Sequence, residues 1–461
     1  MGDRPIIGAA LAGGGVQHFW LPRGTPSLPR IARARGVYVW DTDGRRYIDA
    51  TSGPVAVNLG HGNRRVLDAM RRQAGRVCFA YPSYFESEAN TQLADLLCAQ
   101  AGPGLDRAFF VSGGAEAVEK CLEFARLHAV ARDEAGRSKI ISRMPAFHGS
   151  TLATQALSEE WHKSPLRPML QQWPKVPAPF PYRPAARLDA EADALRCAEA
   201  LRETILAEGP ESVLAFILEP IMGLSGGAAH SSPAYYRRVR EICDEFGVLL
   251  IYDEVMSGAG RTGRFLAAHQ WPEARPDLVV LAKGLGSGYY PLGAFLAPGQ
   301  MVETVVQSGG FHLGHTYKAS PLGCAIGLAV LHEVITEDLP ARAEASGSYL
   351  RDGLEALKAD IPIIGDVRGK GLFNAVEFVA DGETRKMLPR EIDVPMELSR
   401  MAMERGLLIY ARRTFGGKFG DWLMMTPPLI ATRKHIDEIV DLLAATLRDY
   451  VDDLRRRKVL S

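Results

Sequence analysis

The sequence has no charge of either sign to spare: 54 lysines and arginines stand against 54 aspartates and glutamates, a formal net charge of zero. Binding to nucleic acid or to a membrane surface needs a net basic face, so the balance speaks against both as partners. Cysteine is scarce and scattered. Cys78, Cys98, Cys121, Cys197, Cys243 and Cys324 include no Cys-x-x-Cys pair. They read as small buried hydrophobes in a reducing compartment, not as disulfides or metal ligands. No apolar run is long enough to span a bilayer. The short patch from Ile6 to Leu11 follows Asp3 and runs into Gly13, Gly14 and Gly15. Those flanks are unlike a signal peptide, and the glycines read as a hinge. Position 6 lacks the Ser or Thr of a myristoylation signal. Internal repeats are missing too, which excludes solenoids and propellers. The expectation is a cytoplasmic, enzyme-like chain.

What is present is an ordinary globular composition, 47% hydrophobic and 23% charged over 461 residues, enough for a large domain and a smaller one. Residues 1–61 read as a lead-in. Pro22, Pro26 and Pro29 precede a hairpin from Gly36 to Gly44 that turns on Asp43-Gly44. From 62 to 335 short apolar runs alternate with longer helical stretches. That pattern predicts an α/β fold with a mainly parallel sheet sandwiched by helices. Residues 165–184, rich in proline, are expected to be an ordered loop without regular structure. Residues 433–457 repeat apolar side chains at helical spacing, from Ile436 and Ile439 to Val451 and Leu454. The Arg455 to Lys458 end of that helix reads as a solvated terminus.

Three apolar runs, Val213 to Leu218, Val248 to Tyr252 and Leu278 to Ala282, are short and uniform enough to be strands buried on both faces. Each ends at a charged residue: Glu219, the pair Asp253-Glu254, and Lys283. In open parallel sheets ligands bind beyond the carboxyl ends of the strands, so these groups are expected on one rim. There they could form a structural ion-pair network or serve a ligand. A fourth run, Ala108 to Val111, feeds Ser112-Gly113-Gly114, and Ala117, Cys121, Phe124 and His128 then follow at helical spacing. A glycine turn opening a helix offers free N–H groups and the positive end of a dipole to a phosphate. It lacks the third glycine of a dinucleotide fingerprint and the Gly-Lys-Ser/Thr of a nucleotide loop. Together the pieces describe a cofactor with a phosphate at one end, a carbonyl for Lys283 and a ring nitrogen for Asp253. Pyridoxal 5'-phosphate (PLP) has all three handles.

With Phe147-His148-Gly149, Glu219 to Gly223, Asp253-Glu254-Val255, Gly260-Arg261-Thr262-Gly263, Ala282-Lys283-Gly284, His315-Thr316-Tyr317 and Pro427-Pro428-Leu429 added, the chain resembles the class III (omega-type) aminotransferases over almost its whole length. The resemblance implies the fold-type-I PLP-transferase architecture, with a large domain over 62–335 and a smaller α+β domain built from 1–61 and 336–461. It implies that Lys283 forms a Schiff base with PLP and moves the proton, and that Asp253 pairs with the ring nitrogen. Gly113, Gly114 and Ala115 would hold the phosphate, Phe147 and Val255 would stack on the ring, and His148 and Glu219 would stand beside it. Thr316 would reach the neighbouring subunit's phosphate, so a homodimer, or a dimer of dimers, is implied. Phe147 stands where tyrosine is common, Ala115 where a hydroxyl is common, and Ala259 where an aromatic is frequent. Each missing hydrogen bond is worth about 1 kcal/mol of cofactor affinity.

The implied activity is ping-pong transfer of an amino group from an amine or omega-amino acid to a keto acid, with pyruvate expected as acceptor. An aminomutase, a decarboxylase or a racemase-like enzyme is the alternative on the same scaffold. A non-catalytic binding protein would be expected to have lost Lys283, Asp253 or Thr316. Arg412 and Arg413 are candidates for the substrate carboxylate, and Trp20, Tyr81 and Trp161 for the pocket wall. His312 and His315 imitate metal-ligand spacing but have no third ligand, so no metal is expected.

Overall fold

A computed structural model describes residues 28–158, 165–185, 188–311 and 314–460. At its centre lies a seven-stranded sheet. Across the sheet the strands run Arg107–Val111, Gly293–Ala297, Leu278–Leu281, Leu249–Asp253, Val213–Leu218, Lys139–Met144 and Lys175–Pro177. The last five pair in parallel, while Gly293–Ala297 runs antiparallel to both its neighbours.

Alternation along the central strands makes this a sandwich, because successive side chains point to opposite faces. Phe216, Leu218, Leu250, Tyr252, Val279 and Leu281 pack into one core, with Leu97 of helix Glu88–Ala101, Leu201 of Ala190–Glu208 and Val239 of Pro233–Phe246. Ala215, Ile217, Ile251, Leu278 and Val280 pack into another, with Val118, Cys121 and Phe124 of helix Gly114–Ala131. Both faces are covered, so the strands read as unbroken apolar runs.

Two smaller sheets adjoin the central one. Strands Ile31–Arg35, Tyr38–Asp41 and Arg46–Asp49 form a meander, and Leu407–Leu408 pairs in parallel with the third of them. The Asp43-Gly44 turn is where it was expected, with the Asp41 carboxylate accepting from the N–H of Asp43 and Arg45. Strands Ile364–Lys370, Phe373–Phe378, Tyr410–Arg413 and Asp421–Met425 form an antiparallel sheet. Helix Arg433–Arg456 buries Ile436, Ile439, Leu443, Leu447, Val451 and Leu454. This is the fold-type-I arrangement of a large α/β unit and a smaller α+β unit to which both ends of the chain contribute.

Two expectations need correction. The proline-rich stretch is partly regular: it holds a short 3-10 turn, Arg167–Met169, and the edge strand Lys175–Pro177. An edge strand has a free side and tolerates proline there. Of the cysteines, Cys121, Cys197, Cys243 and Cys324 are buried, but Cys98 is half-buried and Cys78 is exposed. No described helix is long and apolar enough to cross a membrane.

Candidate active site

The strand ends converge as expected. Glu219 follows the strand that ends at Leu218, Asp253 closes its own strand, and Lys283 follows Leu281 by two residues. With Ser112, Gly113, Gly114, Ala115, Phe147, His148 and Val255 they line one cavity of about 560 Å³. That is within the usual range for a small-molecule site.

The glycine turn opens helix Gly114–Ala131 with Gly113 at its N-cap and no side-chain cap. Capless helix starts leave N–H donors for an anion. Space at Gly114 is tight: a Cβ there would lie 3.0 Å from Val255 Cγ1. Glu116 turns back to accept from the Ser112 N–H at 2.9 Å, and its other oxygen meets His315 Nε2 at 3.1 Å.

Asp253 is held from two sides. One oxygen accepts from the Val255 N–H at 3.1 Å, and the other lies 2.8 Å from His148 Nδ1. His148 is itself buried and anchored by its backbone N–H on Ser158 Oγ at 2.8 Å. Its Nε2 is buried without a partner. Glu219 accepts from the N–H of Phe147 and of Gly223, each at 2.9 Å, and from Ser225 Oγ at 2.8 Å. Burial still pushes its carboxyl above the ordinary range.

Lys283 has a left-handed backbone, φ 47°. A non-glycine residue pays strain energy there, and such strain concentrates at functional sites. Burial lowers its amine to about 8, against the upward pull of Asp253 and Glu219. Desolvation dominates, and that is the condition for an amine that must be neutral to act.

The residues present fit PLP. An uncapped helix start suits a phosphate, a braced carboxylate suits a protonated ring nitrogen, Phe147 and Val255 offer apolar contact, and a partly neutral lysine suits the carbonyl.

The class III aminotransferase family model matches residues 22–447. The chain belongs to the class III aminotransferases. A diaminobutyrate–2-oxoglutarate transaminase of Halomonas elongata is 34% identical, covering 92% of this chain and 91% of the relative. A putrescine–pyruvate aminotransferase of Pseudomonas aeruginosa is 31% identical, covering 89% of each. Among solved structures, the omega transaminase of Pseudomonas jessenii in complex with PMP superposes with a TM-score of 0.85. It is 30% identical, with 92% of each chain covered.

The outer part of this aminotransferase's site was less legible. Tyr290, Pro291, Leu292, Ile221, Met256 and Ala56 also line the cavity, and the sequence reading missed them. Tyr289-Tyr290-Pro291, which begins six residues past the lysine, was an available signal. Ala56 had none, because its approach depends on how the chain folds back after residue 28. Thr316, Tyr81, Arg412 and Arg413 do not line this cavity. Thr316 and Tyr81 are exposed. Arg413 makes a two-pronged pair with the buried Asp421, 2.6 Å on each side. Arg412 precedes it on the same edge strand. Trp20, Trp161 and His312 lie outside the described residues. Among the described residues no cluster of three metal-ligating side chains occurs.

Proposed function

We propose that this aminotransferase uses PLP bound at Lys283 to move an amino group from an amine or omega-amino acid to a keto acid, with pyruvate as the acceptor. The observation that carries the reading is Lys283 in one cavity with Asp253, Glu219 and an uncapped helix start, with burial lowering its amine.

When bound, PLP supplies an electron-withdrawing ring and stores the amino group between the two half-reactions. Lys283 Nζ would hold the cofactor, and as a neutral amine it would take up and return the proton of the substrate carbon. Asp253, kept as an acceptor by the His148 and Val255 contacts, holds a proton on the ring nitrogen through a charge-assisted bond. Gly113, Gly114 and Ala115 orient the phosphate by backbone N–H groups. Phe147 and Val255 pack on the ring, and Glu219 braces the Phe147 segment. Arg412 and Arg413 are the candidates for a substrate carboxylate, and Arg413 already pairs with Asp421.

A homodimer, or a dimer of dimers, suits the surface. Phe79, Tyr81, Tyr84, Phe85 and Tyr317 are exposed, and Phe79 and Tyr317 meet edge-on at 5.9 Å. Clustered exposed aromatics mark an interface, and Thr316 sits beside them. The division into a large domain, 62–335, and a small one, 1–61 with 336–461, and a cytoplasmic setting complete the reading.

The test is spectroscopic and chemical together. Wild-type protein mixed with PLP should develop a visible band, and a panel of amines with pyruvate should yield alanine. Lys283→Ala should lose band and turnover together; alanine formation that survives in that variant would sink the assignment.

A further inference from the structure

Arg261 is fully buried, yet every acceptor its guanidinium meets is neutral. One nitrogen donates to the carbonyls of Leu372 at 3.0 Å and Pro427 at 2.6 Å. The other donates to Ser52 Oγ at 3.2 Å and Asn58 Oδ1 at 2.7 Å. Its Nε has no partner. Asp49 favours its charged form without bonding to it, and burial outweighs that pull, so holding chain segments together is a poor reason by itself to keep a cation there.

The contact with Asn58 leads to the lysine turn. The Asn58 side chain donates to the Ala259 carbonyl at 3.1 Å. It also packs against Gly284 so closely that a Cβ there would sit 2.9 Å from Asn58 Cγ. Next along the chain, the Leu59 N–H donates to Ser287 Oγ at 2.8 Å, and the Ser287 N–H closes on the Lys283 carbonyl at 3.0 Å. Lys283 and Ser287 are both left-handed, φ 47° and 48°. Two non-glycine residues stay in that region only when their surroundings leave no relaxed alternative. Ala56, two residues before Asn58, lines the cavity itself.

We infer that Arg261 is a positioning residue for Lys283: its guanidinium fixes Asn58, and Asn58 braces the Gly284 turn that sets where the lysine amine points. This rests on the reading that Lys283 holds the cofactor. The choice of arginine follows from geometry, since one rigid fork serves four acceptors at once and a lysine ammonium cannot.

A double-mutant cycle with Asn58→Ala and Arg261→Lys tests it on the PLP-loaded protein. Two readouts are taken: the single-turnover rate with one amine, and the visible circular dichroism of the bound cofactor, which reports its geometry independently of turnover. Asn58→Ala leaves Arg261 its bonds to Leu372, Pro427 and Ser52. It is expected to slow the half-reaction on the order of 10-fold, to change the visible dichroism and to lower the melting temperature modestly, since the Ala259 carbonyl loses its donor. Arg261→Lys is expected to give the same signature plus a lower melting temperature, and the double variant to be no slower than the worse single. If Asn58→Ala keeps wild-type rate and dichroism, the inference is overturned even should Arg261→Lys fail to fold. Additive rate losses in the double variant overturn it as well. Absence of a lysine-dependent visible band in wild-type protein is a different failure, that of the cofactor reading.

Discussion

Two half-buried lysines lie at different places in the same sheet, and only one is in the active site. Lys283 follows a central strand, and Lys175 opens the edge strand beside Lys139–Met144. Burial pulls both amines down, Lys283 to about 8 and Lys175 to about 7. Lys175 is thus the more perturbed of the two. It donates to Ser142 Oγ at 2.7 Å and to the Ala156 carbonyl at 2.8 Å, at the end of helix Leu152–Leu157, and it does not line the cavity. Lys283 has two carboxylates near it, a strained backbone and open space in front. A depressed amine marks a buried amine; neighbours and space make it a reagent.

The largest expected effect separates the two directly. Lys283→Ala should lose turnover by at least about 10²- to 10⁴-fold, the usual contribution of a positioned base. Lys175→Met should keep turnover within about threefold and lose about 1–3 kcal/mol of stability, because two buried acceptors go unpaired. Steady-state rates and urea midpoints on the same preparations check both. An inactive but folded Lys175→Met protein would erase the distinction.

Asp253→Asn comes next. Asparagine keeps the shape and gives up the charge that faces the ring nitrogen, so a loss of about 10²-fold in kcat is expected. The visible band should persist, because Lys283 is untouched. Loss of the band along with the rate would mean that Asp253 is needed to bind cofactor at all.

The pH dependence of stability distinguishes the lysines without any chemistry. Below about pH 7 both carry their proton in folded and unfolded chains alike, and the folded state bears the full cost of burying the charge. Above about 7 for Lys175 and about 8 for Lys283, the folded protein releases protons that the unfolded chain keeps up to 10.5. The unfolded state then binds more protons, so these two groups make cofactor-free protein more stable as pH rises from about 7 to 10.5. Lys175→Met should flatten the part of that rise that begins near 7, and Lys283→Met the part that begins near 8. Unfolding midpoints measured across that range, with curves superimposable on wild type, would refute the burial argument for both.

The same contrast explains what the sequence could and could not reveal. Lys283 was legible because three apolar runs each ended in a charge, and a parallel sheet allows only one place for such ends to meet. The glycine turn was legible because backbone donors at a helix start need no particular side chain. Lys175 was hidden in a proline-rich stretch, since an edge strand of three residues has no periodicity to detect. The outer wall formed by Tyr290, Ile221 and Ala56 comes from three distant stretches; the aromatic pair just past the lysine was the one local signal, and nothing near Ala56 foretells its arrival. Arg413 looked interchangeable with Arg412 until the pairing with Asp421 across the strands became visible.

The smallest expected effect is at Phe147, whose backbone is pinned by Glu219 while its ring lines the cavity. The carboxylates of Asp253 and Glu219 already have their partners, so adding one hydroxyl there tests how complete that arrangement is. Phe147→Tyr should slow cofactor loss by about fivefold at most, equivalent to the roughly 1 kcal/mol of one added hydrogen bond. The rate of decay of the visible band after dilution measures it. Faster loss would mean that the phenol oxygen has no acceptor within reach and is buried unsatisfied. In that case the phenylalanine belongs to a site already closed around an apolar contact, and the tyrosine common among relatives is not missing from it.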